Sequence, residues 1–419
     1  SPKLLPTLVE GCSSDEATAR EGFYTMWIHL PAVLGKRFEP FLVEVLPVVL
    51  EGLADDAGPV RDTALRGAQA IIAIYLEAAA GLLLPPLQAG LSDENYRIRE
   101  SSANLLGDLI QRMTGGDTID VVEEGTSVPE DSPLAAVPVA QQHALLAAIY
   151  ISRNDVHAGV RSASSSVWKA IISNAPRALR VILVALTDQL LTGLSTDDDD
   201  RQHASAQALG ELVTKLSERV LPKLLPALQV GLSSDDPARR RGVCLGLTEV
   251  MAAAGREVVS EFLSSLIPAV RLGLCDQEDK VREAAASAFS QLQRLIGTQA
   301  IHEIVPALLQ LLRAADPETM VKGQLGLREV MGQRPQAVVP YLLPKLTAFP
   351  IKLSHARALA AVAEVAGAAL HTHLDALLPA LFRETYLEAE LAPDGHEVDA
   401  ELRDALVGAA GGVALGVGG

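Results

Sequence analysis

Three consecutive arginines, Arg239, Arg240 and Arg241, stand in the run DDPARRRGVCLG. A guanidinium carries a rigid fork of donors that matches a carboxylate in two parallel hydrogen bonds. In a chain with 35 Lys+Arg against 52 Asp+Glu, such a triplet points to a contact for an acidic face of a partner protein. The same residue type also suits an internal rung, with Arg240 paired to an acid of a neighbouring repeat. The sequence leaves both readings open. Arg177 and Arg180, in NAPRALRVI, form a weaker pair with the character of ordinary surface residues.

Other residues with chemical potential are less well arranged. His371, His373 and Asp375 have the types of metal ligands. However, positions i and i+2 do not share a helix face, and the zinc spacing H-x3-H is missing. They fit the polar start of a helix better. Asp197–Asp200 has the look of a cation cluster, yet it falls where acids recur between helices and can cap the next one. Cys244 has no histidine close by in sequence and suits a small buried hydrophobe. Gly242 and Gly246 lie one helical turn apart, which permits close approach of another helix. Trp27 and Trp168 sit on helical patterns as core residues. The closing GGVALGVGG lacks the strand–turn–helix frame of a phosphate loop. No hydrolase or kinase motif appears. Catalytic, metal and cofactor residues are therefore assigned to none, and the chain is read as a non-enzyme without a cofactor.

The elements that carry these residues repeat. The cores PVVLEGLADD, PLQAGLSDE, PALQVGLSSDD and PAVRLGLCDQ share a proline, a glycine and an acidic turn. Their glycines are Gly52, Gly90, Gly231 and Gly273, and Gly193 in LLTGLSTDD joins them. Nine residues after four of these glycines come Arg61, Arg99, Arg240 and Arg282, with Arg161 in a degenerate copy. The leucine-rich runs before each glycine have helical periodicity. The glycine is expected to end the first helix at positive φ. The acids cap a second helix of the type VREAAASAFSQL. A hairpin of about forty residues cannot bury both faces alone, so neighbours must stack. The fold class is thus an all-α HEAT-repeat solenoid of stacked antiparallel helix hairpins, with about ten units at this period. Residues 1–114 and 137–388 hold the repeats. Residues 115–136 are rich in Gly, Pro and acids, and are expected to form a flexible insertion. Residues 389–419 are expected to be a poorly ordered tail, after at most one short helix from about Glu397.

Composition narrows the function classes. With 49% hydrophobic residues the chain has ample material for a core. A net charge of -17 weighs against direct RNA contact. Three isolated cysteines suit a reducing, cytoplasmic setting, and the longest apolar stretch is broken by Glu77, Gly81, Pro85 and Pro86, which argues against a membrane span. The chain opens in mid-pattern at Ser1 and is read as an excerpt of a longer protein.

Several blocks go beyond generic repeat spacing. They include VRDTALRGAQAIIAIYLEAAAGLLLPPLQAGLSDENYRIRESSANLLGDLI, VRSASSSVWKAIISNAPRALR, ASAQALGELVTKLSERVLPKLLPALQVGL and RRGVCLGLTEVM. With VREAAASAFSQLQRLIG and VVPYLLPKLT they span most of residues 1–388. These blocks resemble the general control non-derepressible translational activator family, in its C-terminal part beyond the region similar to fungal elongation factor 3. The resemblance implies a scaffold that associates with translating ribosomes. It further implies recruitment of the kinase that phosphorylates the alpha subunit of eukaryotic initiation factor 2, through that kinase's N-terminal RWD domain, in amino-acid starvation or on stalled ribosomes. By the matching R-x-G-V-C motif it places a kinase-binding arginine at Arg240, flanked by Arg239 and Arg241. The chain departs from the family in its Ala- and Gly-rich composition and in the segment after residue 389. A generic HEAT adaptor, such as a transport receptor or phosphatase scaffold, is the competing reading.

Overall fold

The computed structural model describes residues 4–122, 125–127, 133–312, 314, 316–348, 350–390 and 400–418, apart from some helical side chains. Contacts divide the chain into two compact units, Ser1–Leu209 and Gly210–Gly419. The first holds α1 Leu4–Gly11, α2 Ala17–Leu34, α3 Leu42–Gly52, α4 Gly58–Ile74, α5 Leu76–Gly90 and α6 Tyr96–Met113. It continues through strands β1 Asp120–Val122 and β2 Gly125–Ser127 to α7 Val139–Ser152, α8 Ala158–Ile171, α9 Ala175–Val181 and α10 Leu183–Ser195. Then α11 Asp199–Gly231 follows, kinked at Leu216. The second unit holds α12 Pro237–Glu261, broken at Gly255, then α13 Leu263–Leu274, α14 Asp279–Ile296, α15 Thr298–Leu311 and α16 Pro317–Gln333. It ends with α17 Pro335–Leu346, α18 Leu353–Ala366, α19 Leu374–Glu390 and α20 Ala400–Gly418. The architecture is the all-α HEAT solenoid.

Each unit is a hairpin whose second helix packs on the second helix of the next. The pairs α2 with α4, α12 with α14, and α18 with α20 make the broadest contacts, followed by α6 with α8. Their buried faces are aliphatic: Leu105, Leu106, Leu109 and Ile110 in α6, and Val281, Ala285, Phe289 and Leu292 in α14. Such stripes recur at three- and four-residue spacing, which is the period of one helix face. Prolines such as Pro47, Pro226, Pro268 and Pro306 lie inside first helices, as the repeat cores indicated.

The register glycines serve a different purpose from the one expected. Positive φ occurs among the described glycines at Gly35, Gly115, Gly116, Gly255 and Gly297, and at none of the repeat glycines. The repeat glycines are instead contact points with the second helix of their own hairpin and, at Gly52 and Gly273, with the second helix of the hairpin before it. A Cβ on Gly273 would lie 2.7 Å from Cys244 Sγ and 2.9 Å from Ala285 Cβ. One on Gly52 would strike the Tyr24 ring and approach Ala64 Cβ to 2.8 Å. Gly90 and Gly193 face Ser102 Oγ and Ser205 Oγ in the same way. The partner stands twelve residues on in each case and is small: Ala64, Ser102, Ser205 or Ala285.

The insertion has structure in its described part. Gly115 and Gly116 turn the chain at positive φ. β1 and β2 then pair antiparallel, Asp120 with Ser127. Ile119 N donates to Ile171 O at 2.7 Å, and Ser173 N donates to Ile119 O at 3.2 Å. Ile119, Val121 and Leu134 are buried. Gln142 caps the 3-10 helix Pro133–Ala136 by donating from Nε2 to Leu134 O and Val137 O. Buried apolar side chains and backbone pairing therefore pin a stretch that composition marks as flexible.

The end of the chain also differs from expectation. Residues 391–399, including Glu397, lie outside the described residues. Beyond them the Gly-rich stretch forms α20, packed on α18 with Leu406, Ala409 and Val413 buried. Small residues let it sit close: a Cβ on Gly412 would lie 3.3 Å from Ala363 Cβ. Close backbone approach recovers in packing what glycine forfeits in helix propensity.

Candidate partner-binding site around Arg240

Arg240 lies in the first turn of α12, where Asp236 caps the helix by accepting from Ala238 N at 3.0 Å. Its guanidinium is held on two sides. Nη1 donates to Ser234 O at 3.0 Å and to Asp235 O at 3.2 Å. Nε and Nη2 donate to the two oxygens of Asp276 at 2.7 and 2.9 Å. Asp276 belongs to the turn of the next hairpin and also accepts from Glu278 N, the residue just before α14, so it braces that turn. Arg240 and Asp276 side chains are 16% and 12% exposed. The pair raises the Arg240 pKa, chiefly through the bond to Asp276. At Asp276 burial opposes ionisation, but the Arg240 hydrogen bonds and the Glu278 N–H hold the carboxyl below its usual value. Arg239 and Arg241 are half-buried beside it.

Five other arginines repeat half or all of this arrangement. Arg20, Arg61, Arg99, Arg161 and Arg282 each donate from Nη1 to the carbonyls six and five residues earlier. Three arginines add the bidentate carboxylate of the following turn: Arg20 with Asp55, Arg99 with Asp155, and Arg240 with Asp276. Arg282 reaches Asp279 and Glu329 instead. The Arg99 rung is the most buried, with 2% and 6% of its side chains exposed, and its Nη2 also reaches Asp200 at 3.0 Å. The motif is therefore a ladder, and Arg240 is one rung of it. Arg20 has the same spacing from Gly11, a copy that the repeat cores did not single out.

The remaining candidates fall to structural places. Asp198 caps α11 by accepting from Asp200 N and Arg201 N, and Asp200 joins the Arg99 rung. Arg177 donates to Asp120 Oδ2 at 2.7 Å and so ties down β1, and Arg180 bonds its own helix at Pro176 O. Cys244 is fully buried, and desolvation pushes its thiol up to about 12. Trp27 and Trp168 are core residues; Trp27 Nε1 donates to Cys12 Sγ. His373 ends a 3-10 helix, and the His371 side chain lies outside the described residues. Among the described residues no group of three or more His, Cys, Asp and Glu is placed to hold a metal. No single described helix is long and apolar enough to cross a membrane.

Comparison with known proteins places this ladder. The family model described as "Stalled ribosome sensor GCN1-like, HEAT repeats" matches residues 161–326 and 338–417, more than half of the chain. Residues 2–114 match the "EF3 N-terminal HEAT repeat" model. The chain therefore reaches into the region similar to elongation factor 3, instead of lying wholly beyond it as the resemblance implied. The human "Stalled ribosome sensor GCN1" is 42% identical over 90% of this chain and 14% of its own length. The Saccharomyces cerevisiae "eIF-2-alpha kinase activator GCN1" is 36% identical over 90% of this chain and 14% of its own length. The chain thus spans about one-seventh of these curated relatives. Among solved structures, Kap121p bound to Pho4p aligns with 99% of this chain and 42% of that chain, at 16% identity and a TM-score of 0.38, a likeness too low to bear on partner choice. By the family match over Arg161, Arg240, Arg282 and the hairpins that carry them, the chain belongs to the stalled ribosome sensor GCN1-like family of HEAT-repeat proteins.

Proposed function

We propose that this segment is a non-catalytic scaffold that couples the ribosome to the initiation factor 2 alpha kinase in the amino-acid starvation response, working in the cytoplasm. It does so by binding the RWD domain of that kinase. The observation that supports the reading is identity near 40% with proteins named as a stalled ribosome sensor and an eIF-2-alpha kinase activator. Tethering a kinase and a ribosome-borne signal on one array makes their encounter intramolecular and raises its effective concentration. Ribosome contact falls to other parts of the full protein, because the charge of -17 repels RNA.

The contact surface is the start of α12 with Arg239, Arg240 and Arg241. The ladder geometry gives Arg240 a defined part in it. Its guanidinium holds the Ser234–Asp235 turn and Asp276, and so fixes the surface that Arg239 and Arg241 flank. The test is a calorimetric titration of the chain with the purified RWD domain, using Arg240→Glu and Asp276→Asn beside the unaltered protein. Asp276→Asn loosens the rung and leaves every arginine in place. Loss of binding in both variants supports the positioning role, and loss in Arg240→Glu alone supports direct contact. No binding by the folded unaltered chain removes the RWD reading.

The second reading, a HEAT adaptor for transport cargo or a phosphatase subunit, would be favoured by binding of such a partner without RWD binding.

A further inference from the structure

The residue just before each register glycine is exposed, and its type changes along the chain. Before Gly11, Gly52, Gly90 and Gly193 stand Glu10, Glu51, Ala89 and Thr192, all exposed and all polar or small. Before Gly231 and Gly273 stand Val230 and Leu272, 75% and 52% exposed. These two belong to first helices of the second unit, Val220–Gly231 at the end of α11 and Leu263–Leu274 in α13. Gln229 ties the two helices by donating from Nε2 to Ser265 O at 3.1 Å. One turn before each aliphatic residue comes an exposed proline, Pro226 and Pro268. Positions i and i+4 share a helix face, so each helix carries a stripe of proline and aliphatic side chain.

Neither stretch contains an acidic residue, and their charges are Lys223 and Arg271. Acids begin at the turns, with exposed Asp235, Asp236, Glu278 and Asp279. The face is therefore apolar in the middle, with cations along it and mixed charge at the turn edge. Single exposed aliphatic residues are ordinary on a protein surface. Two at one register, on helices tied together and each beside a proline, make a patch of the kind that marks contact with another protein.

The Arg240 rung is anchored on this patch. Val230 lies four residues before Ser234, and Leu272 lies four before Asp276. The Arg240 guanidinium grips Ser234 O at 3.0 Å and the Asp276 carboxylate at 2.7 and 2.9 Å. One side chain thus holds the ends of both helices and sets the spacing between Val230 and Leu272. The Arg20 rung joins helix ends that carry Glu10 and Glu51 instead, and the Arg99 rung joins ends that carry Ala89 and the half-buried Ile151.

We propose that Val230 and Leu272 are the apolar centre of the partner-binding surface at the Arg240 rung, a role that rests on the RWD reading of that surface. They take an apolar patch of the RWD domain that is flanked by acidic residues. The core of an interface leaves water most completely, while charges at its rim steer and orient. Lys223 and Arg271 along the stripes, with Arg239 and Arg241 at the start of α12, meet the acidic flank. Arg240 acts on the partner through the two helix ends that it holds.

The test is a calorimetric titration of the full 419-residue chain with the purified RWD domain. Val230→Gln and Leu272→Gln should each weaken binding about tenfold, the worth of one aliphatic side chain partly withdrawn from water. Glu51→Gln, at the same register in the first unit, should leave binding unchanged. Both aliphatic residues are exposed, so melting curves of the variants should match the unaltered chain. The rung supplies a second readout. Asp276→Asn should weaken binding by the unaltered chain, and much less by the chain that already carries Val230→Gln and Leu272→Gln, because the pair it positions is gone. An undiminished effect there would show that rung and pair act separately, against the proposal. Equal binding by the unaltered chain and both glutamine variants would overturn the proposal and leave the RWD reading standing. No binding by the folded unaltered chain would remove both. Sedimentation showing a dimer that Leu272→Gln dissolves would give the patch to a second copy of the chain and also overturn the proposal.

Discussion

The rungs at Arg99 and Arg240 are built from the same atoms and sit in very different solvent. In both, Nη1 takes two turn carbonyls while Nε and Nη2 grip an aspartate of the next hairpin. The Arg99 pair is almost sealed, and it gathers Asp200 and the His157 ring as well. His157 is in turn stacked on Tyr96 with ring centroids 4.1 Å apart. The Arg240 pair keeps about one-seventh of its side-chain surface in water. The difference shows that a repeat motif fixes geometry and leaves energy to the surroundings. A sealed ion pair that loses one partner strands a buried charge, whereas a partly wet one can turn to solvent.

Four expected outcomes would sharpen or break this contrast. The largest effect belongs to Arg99→Ala, which leaves Asp155 buried with its charge exposed to no partner of equal strength. It should cost about 3–5 kcal/mol of stability in denaturant titration. A cost near that of an exposed surface change would erase the contrast. Next come the glycines of the two rung-bearing hairpins, Gly90 and Gly273. Gly273→Ala drives a methyl into Ala285 Cβ, which has no rotamer to turn to, as well as into Cys244 Sγ, and should cost about 1–3 kcal/mol. Gly90→Ala meets the Ser102 hydroxyl, which can rotate its oxygen away, and should cost less. Arg240→Ala should cost about 2 kcal/mol, the worth of charge-assisted bonds at a partly wet site. That cost should depend on pH in a stated direction. Asp276 titrates below its ordinary value when folded, so its contribution is present above about pH 4 and fades as pH falls through the folded value. The gap in stability between the unaltered chain and Asp276→Asn should therefore close on acidification. The smallest effect belongs to Arg61→Ala. Arg61 holds the Asp55 and Asp56 carbonyls but no carboxylate at its Nε–Nη2 edge, and its removal should cost under about 1 kcal/mol.

Much of this ladder was open to reading from spacing alone. The interval of nine from glycine to arginine located Arg61, Arg99, Arg240 and Arg282, and the degenerate copy added Arg161, because the first helix, turn and second helix have fixed lengths. The reason for the glycines was misread, since a glycine at a helix end suggests left-handed φ. The decisive signal was the small residue twelve positions on, at Ala64, Ser102, Ser205 and Ala285. The insertion and the end of the chain were misjudged for a shared reason. Composition reports the average tendency of a segment, whereas Ile119, Val121, Leu406 and Val413 are buried by neighbours remote in sequence.

The ladder also sets where the array can grow. Each rung aspartate both binds the N–H two residues on, just before its own second helix, and receives the arginine of the hairpin before it, so the turn between the two helices of a hairpin has no slack. From Arg20 to Asp55 and from Arg240 to Asp276 the separations are 35 and 36 residues. From Arg99 to Asp155 it is 56, and yet the rung closes at 2.7 Å. The extra residues leave from the opposite end of the hairpin, after α6. Evolution, or a protein engineer, can therefore splice new sequence into that end of any hairpin and keep the register, whereas a single residue added on the ladder side would unhook it.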